Sequence, residues 1–217
     1  MNDDVTVVIP TIPSRDGMLA QAIISAWDQT HPPAQVIIQT DKEGVGAAVT
    51  RNKALLEVRT TWTAFLDDDD TFYDFHLERL LETALGIEAD LVYPWFDLAV
   101  PKGDALVVEN WRDPLFGRWG DEMVSPLGRV FGEQQRIYVL EEECFIPVTV
   151  LVRTDLLHAV GGFPIPRSPE WPPRACEEWG LWRLLLAAGA AFAHHPERTW
   201  LWQHHASNTS GKPWSAT

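Results

Sequence analysis

The sequence is short of basic residues relative to acidic ones. Its 217 residues contain 17 Lys and Arg against 31 Asp and Glu, which gives a formal net charge of −14. Because nucleic-acid backbones are bound by basic surfaces, this balance argues against DNA or RNA as a partner. A small phosphorylated ligand is compatible with it, since one metal ion and a few arginines are enough to hold such a ligand.

Cysteine and long apolar runs are also scarce. The two cysteines, Cys144 and Cys176, have no metal-type spacing and form no disulfide framework, which suits a reducing compartment. No apolar run approaches the roughly 20 residues of a membrane span. The acidic N-terminus enters a predicted strand at once, unlike a signal peptide. We therefore expect a cytoplasmic protein with no integral membrane segment.

The first half of the chain alternates short apolar runs with amphipathic segments, as in α/β proteins. The runs predicted as strands cover residues 5–10, 35–40, 63–67 and 90–96. The segments predicted as helices cover residues 14–30, 44–58 and 75–85, with residues 71–73 leading into the last of them. This order predicts a doubly wound sheet whose ligands bind beyond the carboxyl ends of the strands.

The second half is less regular. Residues 97–143 are interpreted only as inserted strands and loops, with strand candidates at residues 105–109 and 136–140. Regular structure is predicted again further on: a strand, a short helix and a Gly-Gly turn over residues 148–163, a helix over 176–190, and short strands at 191–195 and 198–205.

Four consecutive aspartates, residues 67–70, follow the third predicted strand. Their charges repel one another, so something must offset that repulsion. Strand alternation would point Asp67 and Asp69 to one side and Asp68 and Asp70 to the other. Two such carboxylates at a ligand-binding edge suit Mg²⁺ or Mn²⁺. The alternative is a solvated acidic turn that caps the next helix; we favour the cation.

Several motifs occur in the order typical of the family 2 glycosyltransferases. They are VTVVIPTIPSR, AIISAWDQT, GAAVTRNKAL, FLDDDDTFYDFHLERL, DLVYPWF, VGGF, EEWGLWRLLLAAG and HHASNTSG. The chain resembles this family over about residues 5–100 and 145–211. The resemblance implies a GT-A fold, which is a Rossmann-like α/β fold with a mixed, mostly parallel sheet flanked by helices. It also implies one domain over residues 1–217, with a nucleotide-sugar half at 1–100 and an acceptor half at 101–217 that ends in a metal-binding or lid segment.

On the donor side, the resemblance assigns roles to residues in four motifs. The aspartate run resembles the Asp-x-Asp signature, which holds Mn²⁺ or Mg²⁺ and contacts the donor ribose. Asp67 and Asp69 fit it best as metal ligands, with Asp68 beside Asp67 on the nucleotide-sugar and the Asp68/Asp70 register as the alternative. The other residues implied to bind the nucleotide-sugar are Pro10, Thr11, Arg15, Asp41 (as the acid that bonds the base) and Arg51, which precedes Asn52 in an Arg-Asn pair. Ordinary surface arginines are the alternative for Arg15 and Arg51.

On the acceptor side, Glu177 and Glu178 resemble the catalytic Glu-Asp pair of the family. The resemblance implies that Glu178 is the general base of an inverting transfer. Two acids decorating a helix N-terminus are the alternative. His205, with His204 as its alternate, resembles the C-terminal histidine that completes the metal shell, whereas His194 and His195 are interpreted as structural. Four tryptophans are candidates for acceptor walls or for core packing: Trp95, Trp111, Trp171 and Trp179.

The expected function is metal-dependent sugar transfer from a nucleotide-diphosphate sugar to a hydroxyl of a saccharide, lipid carrier or protein. A non-catalytic nucleotide-sugar-binding module is the alternative. A nucleotidyltransferase is less favoured, because the segment PTIPSRDG lacks the glycine cluster that such enzymes carry near the first strand. Uridine, guanosine and deoxythymidine are all compatible with the sequence as the donor base.

Overall fold

The computed structural model describes residues 3–102, 105–109, 131–142, 144–165, 177–203 and 205. These residues form an eight-stranded sheet with helices on both faces. The strands are β1 (Val5–Thr11), β2 (Gln35–Thr40), β3 (Trp62–Phe65), β4 (Thr71–Phe72), β5 (Leu91–Lys102), β6 (Ala105–Glu109), β7 (Leu151–Arg153) and β8 (Phe192–Gln203). The helices are α1 (Asp16–Trp27), α2 (Ala47–Leu55), α3 (His76–Gly86), α4 (Glu133–Glu141), α5 (Thr154–Ala159) and α6 (Glu177–Ala187).

The sheet has a parallel block at one side and mixed pairing at the other. Its order is β2-β1-β3-β7-β5-β8-β4, with β6 paired to β5. β1 is parallel to β2 and to β3, and β5 is parallel to β8, while the remaining pairs are antiparallel. The predicted α/β class is confirmed. The description as mostly parallel fits the β2-β1-β3 block better than the rest of the sheet.

Two apolar layers cover the faces of the sheet. β1 is buried along its whole length, as expected for a strand between two layers. Its residue Val8 packs on one side, in the layer that holds Trp182 of α6. Its residue Val7 packs on the other side, in the layer that holds Leu77 and Leu80 of α3. α6 and α3 therefore pack on opposite faces of the sheet.

Three segments differ from the prediction. Residues 136–140 belong to helix α4 rather than to a strand, and they were ambiguous because a short alternating run also fits one helical face. Thr71 and Phe72 form strand β4 against β8 instead of entering α3. The two short strands near the C-terminus are one strand, β8, whose pairing with β5 shifts register between Pro94 and Phe96.

The carboxyl ends of β1, β2 and β3 meet at one edge of the sheet, as in other parallel blocks. The N–H of Asp41, just after β2, donates to the carbonyl of Thr11 at the end of β1 over 2.7 Å. The aspartate run follows β3 directly. None of the helices in the described part of the chain has the length and hydrophobicity to cross a membrane.

Candidate functional site

The aspartate run leaves the sheet and forms a turn. β3 ends at Phe65, and the N–H of Asp70 donates to the carbonyl of Asp67 over 3.1 Å. The strand alternation expected from the sequence is therefore wrong, because these residues no longer have extended backbone. Instead Asp67, Asp69 and Asp70 each offer one carboxylate oxygen, and these oxygens lie within 4.8 Å of one another. Asp70 joins the pair that the sequence singled out.

Asp68 points away from this group, toward β1. It accepts hydrogen bonds from the hydroxyl of Thr11 at 2.6 Å and from Nη1 of Arg15 at 2.7 Å. Arg15 also donates to Oδ2 of Asp69 at 2.7 Å. Thr11 and Arg15 thus fix the orientation of the turn and offset part of its negative charge.

Asp69 and Asp70 are buried in an unfavourable electrostatic environment. Burial and the charges of Asp67 and Asp69 raise the pKa of Asp70 well above its usual value, although the N–H of Gln203 donates to its Oδ1 at 2.9 Å. Burial and the charge of Asp67 also raise the pKa of Asp69, against the opposing effect of Arg15. Clustered carboxylate oxygens are the ligands that Mg²⁺ and Mn²⁺ prefer. Asp67, Asp69 and Asp70 therefore fit a divalent cation, which would offset their repulsion.

The raised pKa of Asp70 predicts a pH-dependent effect of Asp70→Asn in the metal-free chain. In the unfolded chain Asp70 loses its proton above a pKa of about 3.9. The folded chain still holds this proton at such pH values, so ionisation of Asp70 lowers the free energy of unfolding as the pH rises. We expect the variant to be the more stable chain at pH 7, and this advantage to shrink as the pH falls toward about 4.

Urea unfolding of both chains in EDTA measures the difference in their free energies of unfolding. The range from about pH 4.5 to about pH 7 lies above the reference pKa of about 3.9. Saturating Mn²⁺ should reverse the difference, because the cation binds the ionised carboxylate. A difference that stays constant across the pH range would contradict the assigned electrostatics of Asp70.

His205 lies against the cation site. Its Nε2 is 3.1 Å from Oδ2 of Asp69, so His205 is within hydrogen-bonding distance of the aspartate turn. His204, its alternate, lies outside the described residues. His195, by contrast, contacts the hydroxyl of Thr83 and the carboxylate of Glu197, which are structural contacts on the α3 side of the sheet.

A cleft of about 270 Å³ opens beside the turn. Its lining consists of Pro10, Thr11, Ile12, Arg15, Asp41, Gly46, Ala47, Thr50, Arg51, Asp67 and Asp68. Every residue assigned to the nucleotide-sugar from the sequence is in this lining. The cleft therefore gathers positions from β1, the loop after β2, α2 and the aspartate turn.

Asp41 holds the loop that forms one wall of the cleft. Its Oδ1 accepts the N–H groups of Glu43 at 3.2 Å and Val45 at 3.0 Å, and its Oδ2 accepts that of Gly46 at 2.8 Å. Burial alone would raise the pKa of Asp41, but these backbone hydrogen bonds outweigh burial and leave the pKa below its usual value. Asp41 is thus an ionised acceptor whose position is fixed by its own loop.

Arg51 connects the aspartate turn to α6. Its Nη2 donates to Oδ1 of Asp67 at 2.6 Å, and its Nη1 donates to Oε1 of Glu177 at 3.0 Å. Burial lowers the pKa of Arg51, but the charges of Asp67, Glu177 and Glu178 more than compensate, so the net pKa is raised. Arg51 is therefore a permanent cation between the predicted donor and catalytic residues.

Asn52, the neighbour of Arg51, fastens α2 to the turn after α5. Its side chain donates to the carbonyl of Phe163 at 2.7 Å and accepts the N–H of Phe163 at 2.8 Å. Gly162 has a φ of +78°, and a Cβ there would lie 2.4 Å from Oδ1 of Asn52. The Gly-Gly pair was the only sequence signal for this contact, and it did not identify the partner.

The tryptophan candidates separate into two groups. Trp95 packs edge-on against the ring of His194, and Nε1 of Trp179 donates to the carbonyl of Val139 at 2.6 Å. Both have packing partners within the fold. Trp111 and Trp171 lie outside the described residues.

The chain also resembles known proteins in sequence. A family model described as "Glycosyl transferase family 2" matches residues 14–119. Over this segment the chain is similar to the family 2 glycosyltransferases. This family 2-like chain is 28% identical over 127 residues to Bacillus subtilis TuaG, a protein whose name assigns it as a glycosyltransferase of teichuronic acid biosynthesis. The match covers 47% of the chain and 50% of TuaG.

The structural comparisons give the fold. The family 2-like chain superposes on residues 1–349 of S. aureus TarS in complex with UDP-GlcNAc with a TM-score of 0.66 at 15% identity, covering 94% of this chain and 60% of that one. The complex of TarS with UDP gives a TM-score of 0.61 at 14% identity. The chain therefore has the GT-A fold. It spans about half the length of TuaG and 60% of this TarS chain.

Proposed function

We propose that this chain is a single-domain, metal-dependent glycosyltransferase that moves a sugar from a nucleotide-diphosphate sugar to an acceptor hydroxyl with inversion. The observation that carries the proposal is the arrangement around Arg51. One buried guanidinium, that of Arg51, bonds both Asp67 of the three-aspartate cluster and Glu177 of α6. A donor site and a proton acceptor are thereby neighbours at the ligand-binding edge of the sheet.

The donor nucleotide occupies the cleft beside the aspartate turn, with its base against Asp41. A carboxylate has about four acceptor positions, and the backbone N–H groups of Glu43, Gly44, Val45 and Gly46 already interact with that of Asp41. The little acceptor capacity left on Asp41 suits the single ring N–H of uracil or thymine better than the two adjacent donors of guanine. The UDP and UDP-GlcNAc complexes of TarS support uridine as the base.

The donor diphosphate lies next to the cation site. Asp67, Asp69 and Asp70 would hold Mn²⁺ or Mg²⁺, with His205 against Asp69. Held by these residues, a divalent cation would supply positive charge that neutralises the diphosphate and improves it as a leaving group. Arg15, which bonds Asp68 and Asp69, adds a fixed positive charge at the same edge.

Glu178 takes the proton of the acceptor hydroxyl. The hydroxyl oxygen forms a bond to the anomeric carbon while the bond from that carbon to the diphosphate oxygen breaks, so the anomeric configuration inverts. The proton passes to the Glu178 carboxylate, and the electron pair leaves with the diphosphate. Glu178 is at the start of α6, beside Glu177 and within electrostatic range of Arg51.

An assay of UDP release tests this proposal. The chain is incubated with UDP-sugars and Mn²⁺, with water or simple glycosides as acceptors, and the anomer of the product is read by NMR. We expect UDP release that requires Mn²⁺ and an inverted product. Tight binding of every UDP-sugar without release or transfer would instead support a non-catalytic binding module. In a parallel assay with a nucleoside triphosphate and a sugar 1-phosphate, release of pyrophosphate would support a nucleotidyltransferase.

A further inference from the structure

Arg51 is shared by two acids from distant parts of the chain. Asp67 and Glu177 contact separate nitrogens of the guanidinium, at 2.6 and 3.0 Å. The side chain of Arg51 is 4% exposed, whereas those of Asp67 and Glu177 are 33% and 23% exposed. The guanidinium is thus buried, and its two acid partners are more exposed to solvent.

The scaffold under Arg51 fixes its position. The guanidinium lies over the ring of Phe163 at 5.3 Å from the ring centroid. The backbone of Phe163 is held on both sides by Asn52, one residue further along α2. Because Arg51 is anchored in this way, a change in one of its acid partners changes its interaction with the other.

We propose that Arg51 is a positioning residue that couples occupation of the cation site to the placement of the α6 acids. This inference rests on the proposed function. Asp67 bonds Arg51 and also belongs to the three carboxylates that would hold the cation. When a cation binds the carboxylate of Asp67, the attraction between Asp67 and Arg51 becomes weaker. Arg51 then interacts more strongly with Glu177 and draws the start of α6 toward the filled donor site.

Glu177 is then a positioning residue as well, and Glu178 alone accepts the proton. With such a coupling, the general base is held in place when the donor site is occupied. Coupling between two sites is reciprocal. A change at Glu177, which is outside the cation cluster, must therefore alter the affinity of that cluster.

A double-mutant cycle on Mn²⁺ affinity tests the coupling. Mn²⁺ is titrated by calorimetry into the unaltered chain, Glu177→Gln, Arg51→Gln and the double variant. We expect Glu177→Gln to weaken Mn²⁺ binding about fivefold, because Arg51 then pairs with Asp67 alone and competes better with the cation. Arg51→Gln should strengthen binding, since it frees Asp67.

The decisive comparison is the effect of Glu177→Gln in the Arg51→Gln background. Coupling through Arg51 predicts that the effect disappears, to less than about twofold. A direct through-space effect of the Glu177 charge predicts the same weakening in both backgrounds. In turnover, Glu177→Gln should lower kcat more than it raises the donor KM, since it disturbs the base rather than the nucleotide.

Two further variants act as controls. Glu43→Gln removes another acid that pairs with a basic residue of α2, Lys53 at 3.5 Å, and should leave Mn²⁺ affinity within about twofold. Arg51→Lys keeps the charge, but a single ammonium cannot span both acids, so the coupling should be lost. This variant also supplies the second background if Arg51→Gln does not fold, as judged by its melting temperature.

Each outcome decides the inference. Equal Mn²⁺ affinities for the unaltered chain and Glu177→Gln, or equal effects of Glu177→Gln in both backgrounds, would overturn the coupling and leave the proposed function standing. An unaltered, folded chain that binds no Mn²⁺ would overturn both.

Discussion

Replacing Asp69 with asparagine should abolish Mn²⁺-dependent nucleotide binding. Asp69 is 6% exposed. Its Oδ2 accepts a hydrogen bond from Arg15 and lies 3.1 Å from Nε2 of His205. An amide keeps the shape of the side chain but cannot supply a second negative oxygen to the cation. Loss of an outer-shell partner costs about 10- to 100-fold in metal affinity, so loss of a ligand should cost at least about 100-fold.

The chain should remain folded after this change. The Asp69 carboxylate is disfavoured by burial and by Asp67, which raise its pKa, so a neutral amide relieves part of the repulsion in the turn. Thermal unfolding in EDTA checks this point, and calorimetric titration of Mn²⁺ measures the affinity.

Asp68→Asn is the matched control for Asp69→Asn. Asp68 belongs to the same run, but it bonds Thr11 and Arg15 and is not among the three residues whose oxygens converge. We expect this variant to bind Mn²⁺ alone with nearly the affinity of the unaltered chain. If Asp69→Asn retains Mn²⁺ binding and Asp68→Asn loses it, the cation is bound by Asp68 and Asp70 instead.

Replacing Glu178 with glutamine should remove turnover and leave donor binding intact. A positioned general base contributes about 10²- to 10⁴-fold to rate, and an amide cannot accept the proton. We therefore expect kcat to fall by about 10³-fold. The affinity for nucleotide and Mn²⁺ should stay within about twofold, because Glu178 is outside the cleft lining and outside the cation cluster.

Comparison with Glu177→Gln separates the two acids of α6. Glu177 is bonded to Arg51, so its replacement should lower kcat less than that of Glu178. Transfer by Glu178→Gln at the rate of the unaltered chain would show that another group accepts the proton. A larger loss in Glu177→Gln than in Glu178→Gln would exchange the roles of the two residues.

Sequence patterns predicted the elements whose periodicity is strong. β1 is a mostly apolar run that is buried along its whole length, and the segments that form α3 and α6 were both predicted as helices. β8 was divided in two because Pro196 interrupts it. In the structure this proline lies near the register shift with β5, where a strand tolerates proline.

Most of the candidate site residues named from the sequence lie around this edge of the sheet, but their contacts were not predictable. The sequence placed Asp70 on the side opposite to Asp67 and Asp69, because it does not reveal that β3 ends at Phe65; in the structure, one carboxylate oxygen of each of these three residues converges. The bond between Arg51 and Glu177 joins residues 126 positions apart. No local pattern encodes such a pairing; it depends on how α2 and α6 are placed around the same edge of the sheet.

The central claim is a cation-dependent uridine nucleotide site at this edge of the sheet. Calorimetric titration of the chain with UDP, GDP and dTDP, each in Mn²⁺ and in EDTA, tests it most directly. The proposed geometry predicts that UDP binds in Mn²⁺ and not in EDTA, and that GDP binds at least about tenfold more weakly than UDP, as expected when one donor of its base finds no acceptor. A folded chain that binds none of these nucleotides, or binds UDP equally well in EDTA, would contradict the claim.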